Sequence, residues 1–158
     1  FANDVTPQNW KTHPEITEIR LLRKAVEKGV LDPTWTIQKE NLSACTGQHA
    51  KDRSIARDAQ GTIRRYKAEG TENGISFWTT QIYGEGGKLR FVHLKLTHEE
   101  SDSTTNYTSF LDVHGDRLFE HLQRVTDDEK RLPAEIPDKY LVKRPKKNLE
   151  ATAQCATP

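Results

Sequence analysis

Two stretches of the chain, residues 80–94 (TQIYGEGGKLRFVHL) and residues 108–122 (TSFLDVHGDRLFEHL), are near-copies of one another. At a shift of 28 residues they share five identities in 15 pairs, where average composition gives about one. The identical pairs are Thr80 with Thr108, Gly87 with Gly115, Phe91 with Phe119, His93 with His121, and Leu94 with Leu122. A match at this spacing is typical of one supersecondary unit used twice. The unit here is a strand, a tight glycine turn and a second strand.

The β pattern extends to both sides of this unit. Strands are predicted at residues 62–69, 75–83, 88–97 and 105–113, because these stretches hold β-branched and aromatic residues between turn signals. Asn73-Gly74, between the first two strands, is a strong hairpin signal. Strands joined by such short turns pair antiparallel, since a parallel pair needs a crossover of a dozen or more residues. The sequence therefore predicts an antiparallel meander.

Two regions are harder to assign. For residues 117–125 the repeat favours a strand, whereas the spacing of the apolar side chains fits a helix better than alternation. We favour the strand, which makes a meander of four to five strands. Residues 34–39 suit a short extended segment, and residues 40–60 are polar and weakly patterned, so that neither helix nor strand is preferred there.

One amphipathic helix is predicted at residues 13–28. Its apolar residues recur at steps of three and four: Ile16, Ile19, Leu22 and Val26. Thr12 and Glu15 have the spacing of a capping box, and Gly29 follows as a stop signal. A meander has to bury one face, and this helix is available to cover it. The predicted fold class is α+β, with the N-terminal helix packed on the antiparallel meander.

The ends of the chain are polar. Residues 1–11 are interpreted as an N-terminal lead to a single domain at 12–125. Residues 126–158 carry prolines at positions 133, 137 and 145, so they cannot form a central strand or a long helix. We expect an irregular C-terminal extension there.

Cys45 and Cys155 are the two cysteines of the chain. We expect them to form a disulfide that ties the extension back to the domain, because an even count in an exported chain favours pairing. The chain has no methionine, and its first residue, Phe1, fits a site of signal-peptide cleavage. We therefore expect a periplasmic or secreted protein. The alternative left open is a trimmed cytosolic chain with two free thiols.

The amino-acid composition limits the classes of partner that we expect for this chain. The chain has 24 basic and 23 acidic residues, and this balance argues against a nucleic-acid partner. The basic run at 143–147 is interpreted as solvated tail. The apolar runs are only a few residues long, so no transmembrane segment is expected. No cofactor is expected either, since the Gly84–Gly87 turn lacks the helix start and the lysine of a phosphate-binding loop.

The paired histidines are the only candidate reaction centre. His93 and His121 each follow a phenylalanine by two residues and therefore share its face of the sheet. With Glu99 or Asp112 nearby, they would suit a small hydrolase or a metal-dependent enzyme. Neither a metal-binding spacing on a helix nor a cysteine cluster supports this alternative. We expect no catalytic set and no metal.

The segment Tyr83–Phe91 follows the pattern aromatic-x-x-x-Gly-x-Leu-Arg. It resembles hairpins of uncharacterised secreted bacterial proteins with β-repeat units. The resemblance covers only these residues and implies no catalytic or ligand-binding role.

The aromatic content of the strands points to binding. Interfaces favour Trp, Tyr and Arg, and the candidate binding residues are Trp78, Tyr83, Arg90, His93 and His121. The alternative left open is that the C-terminal extension folds over this surface and hides it. The expected function is that of a small exported, non-catalytic module of the bacterial envelope. It would act on a protein partner as an inhibitor or accessory factor.

Overall fold

The computed structural model of the chain describes residues 4–158. Seven strands form an antiparallel sheet in which spatial order follows sequence order. They are β1 Thr36–Asn41, β2 Ala50–Arg57, β3 Ile63–Glu72, β4 Ile75–Tyr83, β5 Leu89–His98, β6 Ser103–Leu111 and β7 Arg117–Arg124. The α-helix α1, Pro14–Gly29, precedes the sheet. A 3₁₀ turn, Asp138–Tyr140, and the short helix α2, Pro145–Glu150, follow it.

The α+β class and the antiparallel meander are confirmed, but the expected count of four to five strands was wrong. The two additional strands are β1 and β2. β1 overlaps the extended segment expected at residues 34–39, but it lies at the edge of the sheet and is largely exposed, so the sequence did not mark it as part of the meander. In β2 one buried position is occupied by Arg53, so apolar residues do not alternate regularly with polar ones along this strand.

Residues 117–124 form a strand, as the repeat predicts. Phe119 pairs with Phe110, and His121 pairs with Thr108. The apolar spacing favoured a helix because residues 118–122 are half-buried on both faces of the sheet. Residues 1–3, including Phe1, on which the predicted cleavage rests, lie outside the described residues.

The two copies of the near-repeat have the same backbone hydrogen bond across their turns. The Gly84 N–H donates to the Lys88 carbonyl at 3.0 Å, and 28 residues later the Asp112 N–H donates to the Asp116 carbonyl at 2.8 Å. A third copy joins β2 to β3, where the Asp58 N–H donates to the Thr62 carbonyl at 3.0 Å. The fourth residue of each turn is a glycine with positive φ: Gly61 at 83°, Gly87 at 80° and Gly115 at 92°. Three alike turns therefore line one end of the sheet.

α1 packs against one face of the sheet. Its predicted apolar side is confirmed, since Ile16, Ile19 and Val26 are buried with Ile82, Phe91 and Phe110. The Glu27 carboxylate accepts a hydrogen bond from Arg65 of β3 at 2.8 Å. The cap is His13 rather than Thr12, because the His13 Nδ1 atom accepts the Glu15 N–H at 3.1 Å.

The N-terminal lead is part of this layer. The Trp10 ring lies 5.3 Å from Phe119 and 6.1 Å from Phe110, measured between centroids.

The C-terminal extension covers the opposite face. It contributes Leu132, Ile136, Tyr140 and Leu149 to the larger apolar cluster. The predicted disulfide is confirmed, with the Cys45 and Cys155 sulfurs at disulfide distance. The extension also pairs with the edge strand, since the Thr157 N–H donates to the Asn41 carbonyl at 2.9 Å.

Candidate functional site

One half of the helix-side face remains uncovered, and we call it the open face. α1 lies over the half that contains Ile82, Phe91 and Phe110. Trp78 lies four residues before Ile82 on the same side of β4, beyond this cover. Its side chain is 37% exposed, in the central strand of the sheet. By strand register, the open face consists of Lys67, Glu69, Ser76, Trp78, Lys95, Asn106 and Gln123.

Charged side chains flank Trp78 on both sides. Glu69 of β3 and Lys95 of β5 are its direct cross-strand partners, and both are exposed. A depression of about 320 Å³ lies beside the indole, towards the β1 edge. Lys39, Asp52, Lys67, Glu69 and Pro158 are among the residues that line it. The open face therefore combines one large aromatic ring with charges of both signs and a recess of side-chain size.

His93 supports the indole from one side. The two rings meet edge to face, with centroids 5.2 Å apart. Burial lowers the pKa of His93, and the positive charges of Arg23 and Lys95 lower it further, against a hydrogen bond with Asn106 that raises it. The imidazole is thus neutral at pH 7 and can pack against the indole without a desolvated charge.

The second predicted histidine lies too far away to join His93 in a reaction centre. Thr108 of β6 is the register partner of both His93 and His121, so the two histidines are two strand spacings apart, about 10 Å. One zinc ion would need both imidazole nitrogens at about 2.0–2.1 Å. His121 is instead stacked on Trp10, with centroids 4.9 Å apart. Within residues 4–158, no group of three or more His, Cys, Asp or Glu side chains is arranged to hold a metal.

Tyr83 and Arg90 do not belong to the open face. Tyr83 points into the opposite face, where its hydroxyl donates to the Val142 carbonyl of the extension at 2.6 Å. Burial raises the pKa of Tyr83 well above its ordinary value. Arg90 donates from Nε to the Leu111 carbonyl at 3.0 Å. Of the five candidate binding residues, the structure brings Trp78 and His93 together and places His121 two strands further on.

The aromatic side chains of the strands lie on two faces of the sheet. The C-terminal extension hides one face, and the other is partly open. Phe77, next to Trp78 in the chain, is 5% exposed because the extension covers its side. Gln81 is fully buried there; its side chain donates to the Tyr140 carbonyl at 2.6 Å and accepts the Val142 N–H at 2.9 Å. Sequence reasoning missed the charged neighbours Lys67 and Glu69. The strand period together with the hairpin at Asn73-Gly74 is the signal that would have paired Glu69 with Trp78.

Comparison with protein-family models found no match, and neither did comparison with curated proteins or with solved structures. None of the helices within residues 4–158 has the length and apolar character needed to cross a membrane. The disulfide is compatible with an oxidising compartment.

Proposed function

We propose that the chain is a non-catalytic protein-binding module of the bacterial envelope, exported to the periplasm or beyond, and that it binds its partner through the open face. One observation carries the proposal. Trp78 is exposed at the centre of the sheet, on a face whose other half is buried beneath α1. Tryptophan side chains are highly buried on average in soluble domains, and tryptophans on the surface are enriched in interfaces.

The geometry around Trp78 favours a protein as the partner. A half-exposed indole, held at its edge by His93, provides a large contact area at a small cost in conformational entropy. Glu69 and Lys95 on either side offer rim charges of opposite sign, which set orientation and exclude wrong partners. The adjacent 320 Å³ depression has room for one partner side chain between Lys67 and Asp52.

The disulfide supports the proposed compartment. A bond that closes a loop of 110 residues persists in oxidising surroundings and is rare in the cytosol. A module stabilised in this way suits the envelope, where its partner would be an envelope protein that it inhibits or assists.

The test is capture of a partner from envelope extract by the immobilised protein. The wild type is expected to retain a defined partner. Trp78→Ser is expected to retain at least about tenfold less of it, since central tryptophans contribute about 2 kcal/mol or more. Leu31→Ser is the matched control, because Leu31 is an 82% exposed apolar residue outside the open face. A protein that retains no partner under any condition, or equal retention by Trp78→Ser, would reject the proposal.

A further inference from the structure

A large cleft opens on the side of the sheet that faces the C-terminal extension, away from the open face. Its volume is about 1170 Å³. One wall is formed by β1 and β2, a second by the three glycine turns, and a third by residues 143–153 of the extension. The floor is apolar and includes Ile55, Ile63, Leu89 and Leu111.

The walls of this cleft are strongly basic. Seven basic side chains line it against two carboxylates: Arg53, Arg57, Lys88, Lys143, Arg144, Lys146 and Lys147 against Glu40 and Glu150. The charge of Glu40 is balanced by Arg53, with which it forms an ion pair at 2.9 Å. The near-zero net charge of the chain therefore conceals a local concentration of positive charge.

Five of these cations form no ion pair with any of the described residues. Within residues 4–158, no carboxylate lies within 4.0 Å of Lys88, Lys143, Arg144, Lys146 or Lys147. Like charges gathered in a concave site repel one another, and an anion in the site relieves that repulsion. All five side chains are exposed and line one cleft, so an anion in the cleft can be contacted by several of them.

The backbone of the basic run at 143–147 is held against the domain, while its four basic side chains are exposed to solvent, as the sequence predicts. Pro145 and Leu149 are buried beneath it, and the Asn148 side chain accepts the Arg144 N–H at 3.1 Å. Just before the run, Val142 is bonded to both Gln81 and Tyr83 of β4. The fold thus fixes this wall opposite Lys88, which comes from a different part of the sheet.

We infer that this cleft binds a small ligand that carries several phosphate groups. Cations on opposite walls match separated negative charges better than a single ion, and the apolar floor accommodates a carbon skeleton. The volume of about 1170 Å³ is slightly larger than the usual range of about 300–1,000 Å³ for small-molecule sites. A nucleic-acid polymer is the weaker candidate, because the overall charge of +1 provides little long-range attraction for an extended polyanion.

The probe for this inference is inorganic tripolyphosphate, measured by calorimetry at low ionic strength. The test variant is Lys88→Gln/Lys146→Gln/Lys147→Gln, which removes exposed charges from two walls. The control is Lys24→Gln/Lys28→Gln/Lys51→Gln, which removes three exposed charges elsewhere. We expect the cleft variant to weaken binding by about tenfold and the control by less than about twofold. Thermal unfolding of all three proteins checks that the fold is retained.

Two further arms identify the source of the phosphate. Binding to phosphatidylglycerol vesicles but not to phosphatidylcholine vesicles, lost in the cleft variant and without tripolyphosphate binding, would assign the phosphate to a lipid headgroup. Tripolyphosphate binding alone would assign it to a soluble ligand. The inference is overturned if neither probe binds, if the cleft variant binds as tightly as the wild type, or if a single-stranded oligonucleotide binds more tightly than tripolyphosphate.

Discussion

Phe77 and Trp78 are neighbours in one strand, yet the first is 5% exposed and the second 37%. Alternation sends their side chains to opposite faces of the sheet, and the two faces are covered to different extents. The C-terminal extension lies across the face of Phe77. Hydrogen bonds from the buried side chains of Gln81 and Tyr83 hold the extension on that face. On the face of Trp78, α1 covers one half only.

The size of the covering element explains the difference. A helix of 16 residues is about 24 Å long and about 10–12 Å wide. Seven strands of up to ten residues span roughly 30 Å in each direction. One helix by itself therefore covers about a third of such a face, and the N-terminal lead around Trp10 extends that cover towards one half. An irregular extension, by contrast, can cross its face more than once. Exposure of Trp78 follows from the architecture, and its use for binding is what we propose.

The largest expected effect comes from releasing the extension. Cys45→Ser/Cys155→Ser should lower the free energy of unfolding by about 4 kcal/mol, because a bond closing a loop of about 100 residues contributes up to roughly 4.7 kcal/mol through chain entropy. Denaturant unfolding of the variant and of the oxidised wild type measures the difference. A loss below about 1 kcal/mol would mean that the extension is not constrained by this bond.

Truncation of Phe77 and of Trp78 should lower the free energy of unfolding by different amounts, because the two faces of the sheet are covered to different extents. Phe77→Ala is expected to cost about 3–5 kcal/mol, since it leaves a cavity beneath Tyr140. Trp78→Ala should cost about 1 kcal/mol or less, because its side chain is not enclosed. Equal losses in urea unfolding would contradict the difference in cover.

Buried polar contacts with the extension give a smaller effect. Gln81→Leu should cost about 1–3 kcal/mol, because the Tyr140 carbonyl and the Val142 N–H lose their partner inside the protein. The matched control is Gln123→Leu on the open face, an exposed glutamine expected to change stability by about 0.5 kcal/mol or less. If both substitutions prove neutral in thermal unfolding, the extension is not held by Gln81.

The smallest effect concerns pH, and it involves one histidine on each face. Burial lowers the pKa of His49, aided by Lys139 and opposed by Glu72, and burial likewise lowers the pKa of His93. Below pH 6.5 the unfolded chain therefore binds protons that the folded chain does not. Stability should fall as the pH drops from 7 towards 5, and His49→Gln or His93→Gln should each flatten that slope. A histidine titration above pH 6.5 in NMR spectra would contradict the assignment for that residue.

The parts of the fold and of the candidate site that could be predicted from the sequence are those that depend on neighbouring residues. Residues 80–122 revealed the turns and strands because glycine spacing and alternation are local properties. β1 was expected only as a short extended segment, and β2 was missed because Arg53 is buried through contacts with Thr152 and Leu149, about a hundred residues away. For the same reason Trp78 could be chosen from its residue type, whereas the burial of Tyr83 depends on the distant extension.

The most direct test of the difference between the faces is hydroxyl-radical footprinting of the peptide that contains both Phe77 and Trp78. Each residue serves as the control for the other, and each is compared with the urea-unfolded chain. We expect strong protection of Phe77 and little protection of Trp78 in the free protein, with protection of Trp78 once the captured partner is added. Protection of both residues in the free protein, or no change at Trp78 on partner binding, would contradict it.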